Sequence, residues 1–178
     1  MKRAGWPARV WLRVAMATGS FAVAAWLAES SSEITRALAP AAIGTARAVE
    51  GILAWLGMVP HRELATLTHP TGFGYEVDFA CTGIIPAGLL VVAILASETS
   101  LRAKLWGLGI GVPWALALNF VRLVNLFYIG VQHPRFFLWA HSPLWEGLIV
   151  AFLVGFYFLW KRQVAETSES ARLAANTP

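Results

Sequence analysis

Four long apolar runs, separated by short segments that carry basic residues, constrain the fold of this chain most strongly. They cover residues 10–28, 83–96, 105–129 and 143–160. Of the 178 residues, 57% are hydrophobic and 13% are charged, against about 25% charged in soluble domains. Because about 20 apolar residues in a helix cross a bilayer, we predict an all-α polytopic membrane protein with about four transmembrane helices.

A cleaved signal peptide is the alternative interpretation of the first run. The run is longer than the apolar core of a usual signal peptide, and Trp26 stands where cleavage requires a small residue. We therefore predict that this segment is retained as a helix.

Residues 34–80, between the first two spans, are predicted to form an outer layer. Arg36, Arg47 and Glu50 fall within about 60° of one another on a helical wheel, with apolar residues opposite. This pattern favours an amphipathic helix that lies in the membrane interface over a helix that crosses it. Polar and apolar residues then alternate on both sides of a turn at 69–72 that contains Pro and Gly, which predicts a short β-hairpin.

Basic residues predict the orientation in the membrane. With four spans, one side of the membrane carries the amino-terminal cluster, Arg102, Lys104, Lys161 and Arg162. The positive-inside rule then places both termini in the cytoplasm and residues 34–80 outside. Residues 1–162 would form a single membrane-embedded domain, and the polar residues 163–178 a mobile cytoplasmic tail.

Three polar residues are predicted to lie at the same depth. The basic residues at the other ends of the spans, Arg102, Lys104 and Lys161, serve as reference points. At about 1.5 Å per helical residue, Cys81 lies about 31 Å from the first, Arg122 about 27 Å from the second and His141 about 30 Å from the third. The hydrocarbon core is about 30 Å thick. All three should therefore meet at the outer boundary of the bilayer.

Cys81 is the single cysteine of the chain, which excludes an internal disulfide and disfavours a cysteine-based zinc or iron–sulfur site. Gly83 indicates that a helix begins just after it, and a helix amino terminus lowers the pKa of a thiol. Asp78 is a nearby carboxylate with a supporting role. The alternative is a buried cysteine that acts as a small hydrophobic residue.

Arg122 shares one helical face with Asn119 and Asn125. A charge within a span usually faces the bundle interior, although an arginine can also extend to the lipid headgroups. His141 lies at the mouth of the last span, where Ser142-Pro143 predicts a helix start, and Glu146 lies about one turn deeper, where it can orient the imidazole. A surface loop histidine is the alternative.

These side chains together allow acyl transfer. A thiolate attacks an acyl carbon, an imidazole activates the thiol and protonates the leaving amine, and a guanidinium stabilises the oxyanion. This chemistry needs no cofactor or metal. The basic residues are scattered between apolar runs, so we expect no nucleic-acid partner.

Four short motifs strengthen this interpretation: ACTGI at 80–84, NFVR at 119–122, LFYIG at 126–130 and WAH at 139–141. Together they resemble the exosortase/archaeosortase family, and most closely its compact exosortase H type. Thr82 departs from the family, which commonly has Ser or Asn at that position.

The resemblance implies a cysteine transpeptidase or protease in the inner membrane of Gram-negative bacteria, with its active site facing the periplasm. Such enzymes cleave carboxy-terminal sorting signals of secreted proteins, of the PEP-CTERM type, through a thioester. The catalytic residues would be Cys81, Arg122 and His141. The partners would be the sorting-signal proteins, an acceptor nucleophile that the sequence does not identify, and the lipid bilayer.

Two other classes of protein remain open at this point. The polar trio is also compatible with a non-catalytic membrane assembly or lipid-binding subunit, in which it only packs the bundle. A cysteine acyltransferase that acts on lipid chains is the second alternative.

Overall fold

The computed structural model describes residues 8–175 as a helical bundle with one small sheet. The long helices are α1 (Ala8–Glu29), α2 (Ser32–Trp55), α3 (Ile84–Ala96), α4 (Leu101–Gln132) and α6 (Trp145–Ala175). A short helix α5 (Phe137–Trp139) precedes α6. The strands are β1 (His61–Glu63), β2 (Thr66–Thr68) and β3 (Gly74–Glu76). Lys2 and Arg3, which belong to the amino-terminal basic cluster used to predict the orientation, lie outside the described residues.

Helices α1, α3, α4 and α6 form the bundle, in which α3 packs against the other three and α4 also packs against α6. The residues that meet between α3, α4 and α6 are apolar and buried: Ala87, Leu90, Ile94, Ala115, Ile149 and Leu153. Many large apolar side chains on the outside of the bundle are exposed, which suits a surface in contact with lipid. They include Leu105, Trp106, Ile110, Val150, Phe158 and Leu159.

Three helices are long and apolar enough to cross a membrane: Ser32–Trp55, Leu101–Gln132 and Pro134–Thr167. Shorter apolar helices cover Leu12–Leu27 and Ile84–Ala96. These helices confirm the predicted all-α polytopic membrane class. Two of the predicted spans, 105–129 and 143–160, fall within the long helices, and α2, predicted to be interfacial, also has the length and composition of a span.

The helices extend beyond several predicted boundaries. Residues 163–175, predicted to be a mobile tail, continue α6 as helix. An ion pair between Arg162 and Glu166, 2.8 Å apart on successive turns, supports this continuation. Residues 176–178 lie outside the described residues. Helix α3, by contrast, is shorter than the depth estimate for Cys81 assumed. It has 13 residues and a length of about 20 Å. Residues 97–100, which that estimate counted as helical, form a non-helical connection.

Helix α2 and the sheet form a second layer over the end of the bundle that contains Cys81; we call this layer the roof. Buried residues at helical spacing on α2 pack toward the bundle: Ala42, Ala46, Val49 and Leu53. The last three of these join Leu67 of β2 and Phe127 of α4 in one apolar cluster. The Arg62 Nε donates to Glu50 Oε2 at 2.6 Å, which links β1 to α2.

The predicted β-hairpin is present as β2 and β3, which pair across the turn at 69–72, and the structure adds a third strand, β1. The structure has a three-stranded antiparallel sheet in the order β1-β2-β3, in which Arg62 pairs with Leu67, and Leu67 with Tyr75. The additional turn between β1 and β2 contains Leu64 at φ 53°. A leucine is rare in this left-handed conformation, and the turn has no Gly or Pro to mark it in the sequence.

The link from the Cys81 turn to α3 depends on Gly83. Its φ is 81°, in the left-handed region that favours glycine. A Cβ at this position would lie 2.8 Å from Cβ of Asn119 on α4. Gly83 therefore allows both the change of direction and the close approach of α4.

We predict that Gly83→Ala lowers the free energy of unfolding by about 1–3 kcal/mol, because alanine is strained at this φ and collides with Asn119. Thermal unfolding in detergent measures the effect. Gly109→Ala is the matched control: no atom lies within 4 Å of the Cβ position of Gly109 in α4, and alanine is the better helix former. A Gly83→Ala protein as stable as wild type would contradict this account.

Candidate active site

Cys81 lies in a single 3-10 turn (Ala80–Thr82) between the sheet and α3. Its side chain is 6% exposed and belongs to the apolar cluster that joins the roof to α4. Its neighbours in this cluster include Leu53 of α2, Leu67 of β2, and Leu123 and Phe127 of α4. The thiol is therefore enclosed between the roof and the bundle.

Two polar side chains hold the Cys81 backbone from opposite sides. Asp78 Oδ1 accepts a hydrogen bond from the Cys81 amide at 2.9 Å. Asn119 Nδ2 donates to the Cys81 carbonyl oxygen at 2.7 Å. Asn119 is 1% exposed, and its Oδ1 has no hydrogen-bond partner among the described residues. These bonds fix the position of the sulfur relative to α4.

Burial, followed by the negative charge of Asp78, raises the pKa of the Cys81 thiol to about 12, although the charge of Arg122 opposes the shift. The lowered pKa expected from a helix amino terminus is therefore not found. Cys81 lies in the turn before α3, and desolvation and the carboxylate outweigh any helix dipole. The thiol is protonated at neutral pH.

Arg122 is a buried cation at the centre of the site. Arg122 is 7% exposed, and its Nη2 donates to the backbone carbonyl oxygen of His141 at 3.4 Å. Its Nε is buried without a hydrogen-bond partner, and none of the ion pairs among the described residues includes it. A buried charge normally has a carboxylate partner, so this guanidinium is available to an anionic group from outside the chain.

His141 lies in a π-helical turn, Ala140–Leu144, rather than at the predicted start of a new helix. Pro143 lies within this turn, and because proline has no N–H, it cannot continue the α-helical hydrogen bonds. Such π turns inside helices are frequent at functional sites. The turn brings His141 beside Arg122, and the charges of Arg122, Glu146 and Asp78 act on the imidazole.

The structure thus brings Cys81, Arg122 and His141 to one end of the bundle, with Asp78 and Asn119 beside them. Among the described residues, no hydrogen bond joins the Cys81 sulfur to the imidazole. The His141 ring packs against Phe137, with ring centroids 5.7 Å apart.

The other predicted supporting residues lie further from the thiol. Asn125 Oδ1 accepts a hydrogen bond from Trp145 Nε1 at 2.9 Å, which ties α4 to the start of α6. Glu146 is exposed and accepts from Ser142 Oγ at 3.1 Å. Asn125 is thus a packing contact, whereas Glu146 acts on His141 through its charge.

Tyr75 is a residue of the site that the sequence did not indicate. Its hydroxyl donates to the carbonyl oxygen of Leu123, next to Arg122, at 3.1 Å. Burial, and then the neighbouring Cys81, raise the pKa of Tyr75. Its ring lies among Phe73, Phe127 and Phe137. The alternating pattern predicted a strand around Tyr75 but gave no signal that its hydroxyl reaches α4.

Within residues 8–175, there is no group of three or more His, Cys, Asp or Glu side chains that could hold a metal ion.

The geometry thus defines a helical membrane protein with a thiol, a guanidinium and an imidazole at one end of its bundle. The family model of transmembrane exosortases matches residues 2–160. The chain therefore belongs to the transmembrane exosortase family, as its motifs predicted, and membership supports a membrane transpeptidase or protease of that type. Neither a curated protein nor a solved structure matches the chain.

We predict that Asp78→Asn accelerates alkylation of Cys81 by iodoacetamide at pH 8. The Asp78 charge raises the thiol pKa, so its removal lowers that pKa, and each unit gives about tenfold more thiolate. Mass spectrometry of the purified protein over time measures the rate, and the label reports Cys81 alone because the chain has one cysteine.

Glu76→Gln is the control for this measurement. Glu76 lies two residues from Asp78 and is exposed, and its charge is not among the causes of the Cys81 shift. Its alkylation rate should equal that of wild type. An unchanged or slower rate in Asp78→Asn would show that the carboxylate does not control the thiol.

Proposed function

We propose that the protein is a cysteine transpeptidase or protease that cleaves carboxy-terminal sorting signals of secreted proteins, with Cys81 as the nucleophile. The observation that carries this proposal is the position of Arg122, a buried guanidinium without a carboxylate partner among the described residues, beside the single thiol of the chain. Burying such a charge is unfavourable, and a binding site for the oxyanion of acyl transfer gives it a purpose.

The proposed reaction has two steps. The Cys81 sulfur attacks the carbonyl carbon of the scissile peptide, the C–N bond breaks, and the leaving amine takes a proton as a thioester forms. An amine acceptor or water then attacks the thioester and releases the thiol. Arg122 stabilises the oxyanion in both steps.

The raised pKa of Cys81 requires that the thiol loses its proton during the attack rather than before it. Two groups are suited to accept this proton. Asp78 contacts the Cys81 turn directly, and the His141 imidazole is close enough to Arg122 for their charges to interact. We assign both transfers to His141: the imidazole accepts the thiol proton and then gives that proton to the leaving amine, since imidazole exchanges protons near neutral pH.

The proposed orientation follows the positive-inside rule. Both termini lie in the cytoplasm, and the Cys81 end of the bundle faces the periplasm of a bacterial inner membrane. The roof then lies on the outer surface. Because Cys81 is 6% exposed, a peptide carbonyl reaches the sulfur only if the roof and the bundle separate locally.

We predict that Cys81→Ala abolishes processing, because alanine has no nucleophile to form the thioester. The test is co-expression with a tagged protein that carries a carboxy-terminal sorting signal, followed by electrophoresis of the tagged product. Wild-type processing in Cys81→Ala would rule out the proposed mechanism.

Mass spectrometry of the new carboxy terminus identifies the second step. A free carboxylate indicates hydrolysis, and an added amine indicates transpeptidation; both agree with the proposal. Transfer of a lipid acyl chain without peptide cleavage would instead assign the protein to the acyltransferases.

We predict that Arg122→Lys lowers the processing rate by about 100- to 1,000-fold, as the loss of an oxyanion donor does. Lysine keeps the charge but not the planar set of donors. Arg135→Lys is the matched control, because Arg135 is exposed and its guanidinium lies over the Phe136 ring. Equal rates for the two variants would show that Arg122 acts only through its positive charge and that its planar set of donors is not needed.

A further inference from the structure

A cavity of about 680 Å³ lies at the end of the bundle opposite to Cys81. It is formed by α1, the connection between α3 and α4, and the middle of α6. This cavity is about 20 Å from the Cys81 turn along α3, and none of the candidate catalytic residues lines it.

Four charged side chains line this cavity, with a net charge of +2: Arg13, Glu98, Lys104 and Lys161. Arg13 and Glu98 form an ion pair with each other at 2.8 Å, so the excess positive charge corresponds to the two lysines. Lys104 Nζ donates to the Leu95 carbonyl oxygen at 2.7 Å, which leaves two of its three donors for another acceptor. The charges of Glu98 and Lys104 both act on Lys161, so the three groups share one space. The cavity therefore attracts an anion.

The amino terminus of α4 adds to this attraction. Ser100 is the N-cap residue of this 32-residue helix and lines the cavity. The first N–H groups of a helix and its dipole favour anions such as phosphate. Two lysines beyond the Arg13–Glu98 ion pair and the start of a long helix thus line one cavity.

An apolar groove of about 650 Å³ adjoins this cavity and shares Ser100 and Val164 with it. The groove runs between α4 and α6, and aromatic and aliphatic side chains line it: Trp106, Ile110, Phe156, Leu159 and Trp160. At its base Trp160 Nε1 donates to the Ala103 carbonyl oxygen at 3.1 Å, which fixes the indole. A cationic cavity thus adjoins an apolar groove.

We propose that this composite site binds an anionic phospholipid, with its phosphate in the cationic cavity and an acyl chain in the groove between α4 and α6. Both halves are needed for this assignment: the charge selects a phosphate, and the adjoining apolar groove selects a lipid over a free anion. A peptide helix followed by basic residues is a poor occupant, because the cavity would repel its charges.

The test is the thermal unfolding of the purified full-length protein in detergent, titrated with dioleoyl phosphatidylglycerol, dioleoyl phosphatidylcholine or inorganic phosphate. We expect saturable stabilisation by phosphatidylglycerol alone. Equal stabilisation by phosphatidylcholine would overturn the role of the cations. An equal effect of inorganic phosphate would overturn the role of the groove.

Two charge variants of the cavity should move the phosphatidylglycerol affinity in opposite directions. Lys161→Gln should weaken binding about fivefold, equivalent to about 1 kcal/mol per basic residue. Glu98→Gln should strengthen it by a similar factor, because it removes the one carboxylate. Arg162→Gln is the matched control: this neighbour of Lys161 lines neither space and should bind like wild type.

Ile110→Trp tests the groove without changing charge. Ile110 is 50% exposed, so a larger side chain there fills the groove rather than the core, and we expect weaker binding of phosphatidylglycerol. The Glu98 side chain is 54% exposed, so Glu98→Gln should fold even if Lys161→Gln does not. The charge test can then rely on Glu98→Gln. Unchanged affinity in both Glu98→Gln and Ile110→Trp would refute the proposed site.

Discussion

The polar face of α4 is the constraint on which the rest of the structure depends. Asn119, Arg122 and Asn125 recur every three residues within residues 105–127 of α4, which are otherwise apolar. Inside a membrane such polar groups need partners within the protein. Each residue bonds a different segment: the Cys81 turn, the π turn of His141, and Trp145 at the start of α6. One helical face thus determines which three segments meet.

The backbone and the sulfur of Cys81 lie in different surroundings. The backbone of Cys81 is held firmly, by Asp78 and Asn119, whereas its sulfur lies in an apolar cluster that keeps it protonated. Because the thiolate is the reactive form of cysteine, we expect this thiol to react slowly with small electrophiles at neutral pH. Within the proposed function, the substrate itself would complete the site by bringing its carbonyl oxygen to Arg122.

The sequence predicted the features that depend on spacing along a helix. The polar stripe on α4 and the common end of Cys81, Arg122 and His141 follow from counting residues, although the count for Cys81 included residues 97–100, which are not helical. The helix start follows from Gly83 itself. The features that it missed depend on tertiary contacts. The turn at Leu64 has no turn residue, Tyr75 gains its partner on α4 only after folding, and the pKa of Cys81 is set by burial and by Asp78 rather than by the nearby helix.

The shortness of α3 has a consequence for how the protein responds to membrane thickness. Its length of about 20 Å falls well below the hydrocarbon core, but residues 85–94 are buried or half-buried among the other helices, so lipid need not adapt to it. The hydrophobic mismatch is absorbed within the protein, where the buried Ser97 hydroxyl donates to the Ile94 carbonyl oxygen at 2.6 Å. A thicker bilayer would therefore first reduce the tilt of the longer helices and leave the helix that follows Cys81 unchanged.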